Sequence, residues 1–208
     1  EQGITIDVAY RFFSTPHRKF IVADTPGHEQ YTRNMITGAS TADVAVLLID
    51  ARQGVMTQTR RHAYLAALVG IKHIILAINK MDLVAYDPQV FADTLAAFNT
   101  AAEPLGFDSI TAIPLSALKG DNITSRSAHP PWYQGPTLMA CLETIDPRPP
   151  QAFKTVFPGQ WVTRPDASFR AYSGTLASGQ LAVDNEVRVT ASGQTAKIAR
   201  IVTANGDL

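Results

Sequence analysis

Four short, almost continuous apolar runs constrain the fold of this 208-residue chain more than any other feature. They lie at residues 20–23, 44–49, 74–78 and 110–113, and only the last contains a polar residue, Thr111. Runs of this length without polar alternation are typical of parallel strands that helices cover on both faces. Segments with helical spacing separate the runs, so the pattern predicts a doubly wound α/β sheet.

Two of the intervening segments carry clear helix signals. Residues 57–69 have apolar positions at helical spacing and are followed by Gly70, a common residue at the end of a helix. Asp87 and Pro88 are a favourable cap and first residue for a second helix, whose apolar face continues to Ala102. Both segments therefore predict helices that connect neighbouring strands of the sheet.

The two ends of the chain predict antiparallel structure instead. Apolar residues alternate over 4–12, so this segment predicts a half-buried strand that forms a hairpin with residues 19–23. After a proline-rich linker at 147–150 the helical pattern stops, and short strands between Gly, Asp and Ser turns indicate an antiparallel barrel or sandwich. These strands are predicted at 156–163, 169–176, 186–190 and 196–202.

This organisation predicts two domains, an α/β domain over 1–148 and the start of a β-barrel domain over 149–208. The second segment is small for a closed barrel with its own core, so we expect that domain to be cut short at its carboxyl end. The chain begins with Glu1 rather than Met, so we also expect the native amino terminus to be missing from the α/β domain.

Composition limits the classes of binding partner and the cellular compartment that we expect for this chain. Eighteen basic and eighteen acidic residues balance, so no charge excess points to nucleic acid or to a membrane surface. The apolar runs are too short to span a bilayer, and the first residues do not form a signal peptide. The single cysteine, Cys141, excludes an internal disulfide and fits a reducing, cytoplasmic compartment.

The first polar motif, Asp24-Thr25-Pro26-Gly27-His28, follows directly after an apolar run. A carboxylate at the end of a buried strand is well placed to hold a water of a Mg²⁺ ion. The glycine lets a backbone N–H approach a terminal phosphate closely. A strand-to-helix turn capped by the aspartate is the alternative that these residues leave open.

The second motif, Asn79-Lys80-Met81-Asp82, also stands at the end of an apolar run. The Asp82 carboxylate can accept two hydrogen bonds from the N1 and N2 donors of guanine, a pair that adenine lacks. Asn79 can tie neighbouring loops together, and the aliphatic stem of Lys80 can lie over the base. A polar turn after a strand is the alternative.

Two shorter segments complete the set. In Ser116-Ala117-Leu118 the Ala117 N–H can donate to the guanine carbonyl, and near the amino terminus the Thr5 hydroxyl can ligate Mg²⁺. A chance tripeptide and an ordinary strand threonine are the respective alternatives. Each signal is weak alone, but all four occur in one order at strand ends that meet in one crevice. Together they predict a site for GTP and Mg²⁺.

These motifs resemble those of the translation-factor GTPases. Residues 28–35, 38–41, 49–52, 58–62 and 131–133 are similar to one branch of that family, the large subunits of bacterial sulfate adenylyltransferases. The resemblance covers nearly the whole chain, and the first of these stretches is the most specific. It implies a P-loop NTPase type of fold followed by a translation-factor-like barrel.

The resemblance also implies roles for the site residues. Thr5 and Asp24 would serve Mg²⁺, directly and through water respectively. Gly27 would sense the γ-phosphate, and His28 would position the attacking water. A solvated residue at a helix start is the alternative for this histidine. The base would be read by Asn79, Lys80, Asp82 and Ala117.

The same resemblance implies the function of a regulatory GTPase subunit. GTP hydrolysis would drive adenylyl transfer from ATP to sulfate, which yields adenosine 5′-phosphosulfate and pyrophosphate, and a separate small subunit would perform the transfer as the partner in a heterodimer or larger assembly. Two other functions stay open: a translation factor that binds tRNA or the ribosome, and a degenerate natural fragment with a structural role. The balanced charge argues mildly against the translation factor.

Two departures from the family pattern qualify this expectation. No G-x-x-x-x-G-K-[ST] sequence occurs anywhere in the chain, although that loop supplies the donors that cradle the phosphates. We therefore expect the 208-residue chain alone to bind GTP weakly or not at all and not to turn it over. Gly159 interrupts a predicted strand where an apolar residue is usual, which predicts irregular local packing.

Overall fold

The computed structural model describes residues 7–147, 154–203 and 206–208. The chain divides into two compact units, Glu1–Pro147 and Arg148–Leu208. In the first unit the strands and helices are β1 (Ala9–Ser14), β2 (Lys19–Asp24), α1 (Thr32–Ala39), β3 (Val44–Asp50), α2 (Thr57–Leu68), β4 (His73–Asn79), α3 (Pro88–Ala102), β5 (Ser109–Pro114) and α4 (Leu138–Thr144). Short 3-10 turns lie at Glu29–Tyr31, Met81–Val84 and Glu103–Leu105.

A parallel sheet of three strands, in the order β3-β4-β5, forms the centre of the first unit. Each of its strands contains one of the predicted apolar runs, and helices connect the strands along the chain. Their register places Asp50 beside Asn79, and Ile78 beside Pro114, so the three strands end at nearly the same level. The predicted α/β class is therefore confirmed.

The two faces of β4 pack against different helices. Leu76 and Ile78 belong to a core cluster with the inner faces of α1, α2 and α3, whereas Ile75 and Ala77 pack with Cys141 of α4. All four β4 side chains are essentially inaccessible to solvent. Burial of one such aliphatic side chain stabilises the fold by roughly 1.5–3 kcal/mol, so β4 is the structural centre of this unit.

The helix signals in the sequence correspond to the observed helix ends. A carboxylate oxygen of Asp87 accepts a hydrogen bond from the Gln89 N–H at 2.8 Å and so caps α3. Gly70 follows α2 with a φ of 95°, a conformation that glycine adopts without steric cost. Thr137 caps α4 by accepting from the Ala140 N–H at 3.1 Å.

The β1–β2 hairpin forms a separate, two-stranded antiparallel sheet. Phe13 and Phe20 stack on one of its faces, with ring centroids 4.7 Å apart. On the other face Phe12 is 72% exposed and Ile21 is 69% exposed. The prediction of half-buried and fully buried strands here is wrong for that face, because among the described residues no helix packs over it. Residues 4–6 lie outside the described part of the chain.

The hairpin is tied to the first unit at its turn. The Arg18 guanidinium donates hydrogen bonds to the backbone oxygens of Leu142 at 2.9 Å and Ile145 at 2.6 Å. These are carbonyl groups at the carboxyl end of α4, where a cation is favoured by the helix dipole. Arg18 therefore joins the hairpin turn to the helix that precedes the second unit.

The second unit contains only short antiparallel pairs. Its strands are β6 (Trp161–Thr163), β7 (Ala171–Ser173), β8 (Glu186–Arg188), β9 (Thr195–Lys197), β10 (Val202–Thr203) and β11 (Gly206–Asp207), paired in that sequence. The antiparallel character is confirmed, but the predicted strands were too long: residues 156–163 contain β6 and one isolated bridge at Val156. No residue described in this unit is buried, so no core extends the pairs.

Within the described parts of the chain, no helix combines the length and apolarity needed to cross a membrane.

Candidate nucleotide-binding site

The carboxyl ends of the three parallel strands define one polar edge of the sheet. β3 ends at Asp50, β4 at Asn79 and β5 at Pro114, and neighbouring ends are paired in register. Loops that leave parallel strands at one edge converge there, which is where open α/β sheets bind ligands. Two of the predicted base-reading motifs follow directly from this edge.

Asn79 joins the two predicted base-reading loops. Its side-chain oxygen accepts hydrogen bonds from the Lys80 N–H at 2.7 Å and from the Ala117 N–H at 2.9 Å. One amide side chain thus holds its own loop and a residue 38 positions further along the chain. The Ala117 N–H, which is predicted to meet the guanine carbonyl, already has an acceptor in this arrangement.

Asp82 lies in the 3-10 turn that follows Lys80. The turn begins from a left-handed Lys80, with a φ of 63°, and is anchored by Met81, whose side chain is fully buried and whose N–H donates to the Leu115 oxygen at 3.2 Å. Asp82 itself is only partly covered, so its carboxylate remains accessible. Packing of Met81 therefore sets the position from which Asp82 can meet a base.

The Ser116-Ala117-Leu118 segment has one buried member and two exposed ones. Ser116 is fully buried, and its hydroxyl accepts from the Lys119 N–H at 3.3 Å. Ala117 is exposed and Leu118 is 90% exposed. Ser116, like Met81, is therefore the buried member of its loop, while Ala117 and Leu118 are open to solvent.

Asp50 adds an ionic group to this edge. Its carboxylate accepts hydrogen bonds from Lys80 Nζ at 2.9 Å and from the Arg52 guanidinium at 2.7 and 3.0 Å. Arg52 and, to a lesser extent, Lys80 hold the pKa of Asp50 well below its usual range, against the opposing effect of burial. Asp50 is therefore ionised and holds the Lys80 ammonium group at the strand ends.

The Asp24–His28 loop leaves the carboxyl end of β2. Asp24 and His28 are exposed, whereas Pro26 is fully buried. The Gly27 oxygen accepts a hydrogen bond from Gln58 Nε2 at 2.9 Å, which attaches this loop to the first turn of α2. The same Gln58 nitrogen lies 3.0 Å from Nε2 of His62, whose pKa is lowered by burial and by the charge of Arg61.

Helix α1 approaches this loop closely at Gly38. A β-carbon on Gly38 would lie only 2.5 Å from Cγ2 of Thr25, so a larger residue would push the helix and the loop apart. His28 is exposed beside the 3-10 turn that leads into α1, with its ring 6.2 Å from that of Tyr31. Thr5 lies outside the described residues.

Several contacts that organise the site are not predictable from local sequence. Asp50 and Gln58 stand in stretches that resemble the family, but the sequence did not give the partners of their side chains, such as Gly27 at 31 positions from Gln58. The same holds for the hydrogen bond between Tyr86 and Asp121, which joins residues 35 positions apart. Such partners depend on tertiary packing, so the motif spacing did not predict them.

The donor set fits a magnesium ion that takes most of its ligands from phosphate and water. Asp24 presents one exposed carboxylate at a strand end. Among the described residues, no group of three or more His, Cys, Asp or Glu residues is placed to hold a metal ion. Magnesium in nucleotide sites is usually bound by one or two protein oxygens together with the phosphates, so this sparse set is sufficient.

A surface pocket of about 470 Å³ lies at the carboxyl end of α3 and contains none of the predicted site residues. It includes the beginning of β5 rather than its carboxyl end. Its lining consists of Asn99, Thr100, Ala102, Glu103, Gly106, Phe107 and Ile110.

The chain is similar to proteins of known name over its full length. It is 54% identical to sulfate adenylyltransferase subunit 1 of Saccharophagus degradans and 57% identical to that of Salmonella typhimurium, and each match covers 100% of the chain and 44% of the relative. It is 57% identical to the bifunctional enzyme NodQ of Rhizobium sp. strain N33, of which it covers 32%. The chain thus spans less than half the length of these relatives. The resemblance to large subunits of sulfate adenylyltransferase is confirmed.

Solved structures support the fold. The chain matches a crystal structure of bacterial selenocysteine-specific elongation factor EF-Sec with a TM-score of 0.56 at 20% identity, over 100% of this chain and 34% of that one. It matches Sup35 complexed with GMPPNP with a TM-score of 0.56 at 26% identity, over 95% of this chain and 49% of that one.

A family model described as the elongation factor Tu GTP binding domain matches residues 1–151. This match covers most of the chain and includes the polar motifs at the strand ends. The chain therefore belongs to the family of elongation factor Tu GTP-binding domains.

Proposed function

We propose that this chain contains the base-reading and γ-phosphate-sensing parts of the GTPase subunit of a sulfate adenylyltransferase. The observation that carries the proposal is the hydrogen bond from the Ala117 N–H to Asn79, which brings the two base-reading loops together beside Asp82. Identity of 54–57% to sulfate adenylyltransferase subunit 1 over the whole chain supports the choice of enzyme.

In this proposal the chain selects guanine by its own loops. Asp82 accepts from the N1 and N2 donors of the base, and the Lys80 stem covers the base plane while Asp50 holds its ammonium group. The Ala117 N–H turns from Asn79 toward the guanine carbonyl or shares its hydrogen between both acceptors. Met81 and Ser116 contribute packing, because their side chains are buried.

The Asp24–His28 loop senses the γ-phosphate in the same proposal. Asp24 would hold a water of Mg²⁺ and Thr5 would ligate the ion directly, while the Gly27 N–H would donate to the phosphate. His28, exposed at the end of this loop, orients the attacking water. Magnesium, when bound, neutralises charge on the phosphates, and the chain's own contribution is to position donors around them.

The proposed function of the whole protein is sulfate activation. GTP hydrolysis would drive the formation of adenosine 5′-phosphosulfate and pyrophosphate from ATP and sulfate on a small catalytic subunit, with a cytoplasmic location. Because the sequence contains no phosphate-cradling loop, we propose that the 208-residue chain alone is inactive. Calorimetric titration of this chain with GTP should show no binding of micromolar affinity or tighter.

The substitution Asp82→Asn in the full product of the gene, assayed with its small subunit, tests the proposed function. Two charge-assisted hydrogen bonds are lost, so GTP-dependent adenylylation should fall about 100-fold or more. Xanthosine triphosphate should restore activity, because the new amide can donate to the additional carbonyl of xanthine. The readout is the formation of adenosine 5′-phosphosulfate at varied nucleotide concentration.

Asp87→Asn is the matched control, since it changes an exposed aspartate at the cap of α3 and should leave GTP dependence intact. Adenylylation that ignores GTP in the unsubstituted protein would refute the proposed function. Co-purification of tRNA or ribosomes, rather than a small subunit, would favour a translation factor instead.

A further inference from the structure

A second connection, besides Asn79, joins the two base-reading loops. The Tyr86 hydroxyl donates a short hydrogen bond to one carboxylate oxygen of Asp121, and the Ser127 hydroxyl donates to the other at 2.5 Å. The His129 ring stacks on the Tyr86 ring with centroids 5.4 Å apart. We refer to the pair Tyr86 and Asp121 as the tyrosine strap.

The Tyr86 end of the strap is continuous with the Asp82 turn. The Tyr86 N–H donates to the Met81 oxygen at 2.9 Å, which closes the segment that contains Asp82. Ala85 and Tyr86 both have positive φ values, 53° and 54°, a conformation that residues other than glycine rarely adopt. Trp132 Nε1 donates to the backbone oxygen of Tyr86 at 2.8 Å and holds this backbone in place.

The Asp121 end of the strap is continuous with the Ala117 loop. Asp121 pairs with Ser116 in an isolated antiparallel bridge, with the Asp121 N–H 3.1 Å from the Ser116 oxygen and the Ser116 N–H 3.3 Å from the Asp121 oxygen. The next residue, Asn122, is fully buried, and its side-chain amide donates to the Pro114 backbone oxygen at 2.9 Å. Asp121 is therefore fixed to Ser116, the residue that precedes Ala117.

The protonation states suit the strap. Burial, the bond to Asp121 and the charge of Asp82 all raise the pKa of Tyr86, so the hydroxyl keeps the proton that it donates. Burial raises the pKa of Asp121, but the hydrogen bonds from Ser127 and Tyr86 outweigh it and leave this pKa below its ordinary value. A neutral donor thus meets an ionised acceptor, which makes a strong hydrogen bond.

We propose that the tyrosine strap is a specificity device: Tyr86 and Asp121 are positioning residues that hold the Asp82 carboxylate in register with the Ala117 N–H. This inference rests on the proposed function. With the strap closed, Asp82 meets both the N1 and N2 donors of guanine while Ala117 meets the carbonyl. With the strap open, the Asp82 turn shifts relative to Ala117. The hydrogen bond that Asp82 accepts from the N2 amine of guanine is then lost before the one from N1.

Inosine diphosphate separates this positioning role from a general loss of folding, because hypoxanthine has the N1 donor but lacks the N2 amine. In the unsubstituted protein, guanosine diphosphate should bind at least tenfold more tightly than inosine diphosphate. Tyr86→Phe keeps the ring that stacks on His129 and the backbone oxygen that accepts from Trp132. It removes only the hydroxyl that donates to Asp121. We expect the guanosine-to-inosine affinity ratio of this variant to fall about tenfold.

The experiment is a titration of both diphosphates into the full product of the gene, with thermal unfolding measured in parallel. Tyr133→Phe is the matched control, because the Tyr133 hydroxyl donates to the backbone oxygens of Pro136 at 3.0 Å and Ala112 at 3.3 Å, and neither acceptor belongs to a base-reading loop. It should lower thermal stability by a similar amount and leave the affinity ratio unchanged. Asp121→Ala should reduce the ratio as Tyr86→Phe does, and the double variant should reduce it no further.

The outcomes distinguish the two proposals. If the unsubstituted protein does not prefer guanosine over inosine diphosphate, the proposed function fails. If that preference exists and survives Tyr86→Phe, or falls equally in Tyr133→Phe, the tyrosine strap is refuted. A variant of Tyr86 that fails to fold leaves Asp121→Ala, together with Ser127→Ala, as the deciding measurements. Ser127→Ala should reduce the ratio less, because Tyr86 still donates to Asp121.

Discussion

The base-reading loops and the phosphate-sensing loop are supported in different ways. The former leave a three-stranded sheet whose central strand has five consecutive buried residues, and Met81, Ser116 and Asn122 are buried beneath them. The Asp24–His28 loop leaves a two-stranded hairpin with one exposed apolar face. The comparison teaches that the loops proposed to read the base are built into the core, whereas the loop proposed to sense the phosphate is attached to it.

Three contacts contribute to this attachment among the residues that the structure describes. Arg18 bonds the hairpin turn to the end of α4, Gln58 bonds Gly27 to α2, and Gly38 lets α1 lie close against Thr25. Each contact involves one or a few side chains rather than a shared strand ladder. Attachment through a small number of separable contacts would suit the proposed role of this loop, a response to the presence of one phosphate group.

The largest expected effect on stability comes from a comparison of two isoleucine substitutions, one in the core and one in the hairpin. Ile74→Ala in β4 removes a fully buried side chain and should lower the free energy of unfolding by about 3 kcal/mol. Ile21→Ala in β2, at 69% exposure, should cost less than about 1 kcal/mol. Urea unfolding of the 208-residue chain, followed by Trp132 fluorescence in a Trp161→Phe background, measures both.

The contrast between core and hairpin would break if the two isoleucine substitutions cost the same. A large cost for Ile21→Ala would mean that something covers the exposed face of the hairpin in solution.

A smaller effect should sharpen the comparison at the hairpin turn. Arg18→Ala removes two charge-assisted hydrogen bonds to α4, so the free energy of local opening of β2 should fall by about 1–2 kcal/mol. Native-state hydrogen exchange of β2 amides measures this opening, and β4 amides should be unaffected. Arg11→Ala, an exposed arginine of the same hairpin, is the control; equal losses in both variants would argue against the tether.

The smallest predicted effect concerns acid stability on the sheet side. Because the folded-state pKa of Asp50 is depressed, its contribution is present above the ordinary value of 3.8 and is lost as the pH falls toward the folded-state pKa. Asp50→Asn should therefore cost about 1 kcal/mol at pH 7 and flatten the loss of stability below about pH 4, since its partners are half exposed.

Urea unfolding at several pH values tests the role of Asp50, with Asp43→Asn, an exposed position just before β3, as the control. An unchanged acid limb in Asp50→Asn would show that the ion pairs with Arg52 and Lys80 do not contribute.

The sequence predicted the sheet well because its signal is local. An unbroken apolar run such as 74–78 requires cover on both faces, and a cap such as Asp87 marks a helix start without any tertiary information. The same logic placed polar motifs at strand ends, and two of these motifs are joined in the structure by the hydrogen bond between Asn79 and Ala117. The roles of these residues toward GTP and Mg²⁺ stay predictions.

The hairpin and the second unit were predicted less well, because alternation shows only that a strand has two faces. It does not show whether anything covers the face that contains Phe12 and Ile21. In the second unit, strand length depends on a neighbouring sheet, and the described residues there have no core. The tyrosine strap was missed since Tyr86 and Asp121 are unremarkable in their own segments and meet only through tertiary packing.

The single thiol of the chain lies on the buried side of α4, so its reactivity can report how often this helix leaves the sheet. Cys141 is 5% exposed, and burial raises the pKa of its thiol, so alkylating reagents have little access to a nucleophilic thiolate while α4 is seated. Labelling by iodoacetamide then records the moments when α4 lifts away from the sheet. Because Arg18 bonds the end of the same helix, the labelling rate also registers whether the turn of the β1–β2 hairpin is attached to α4.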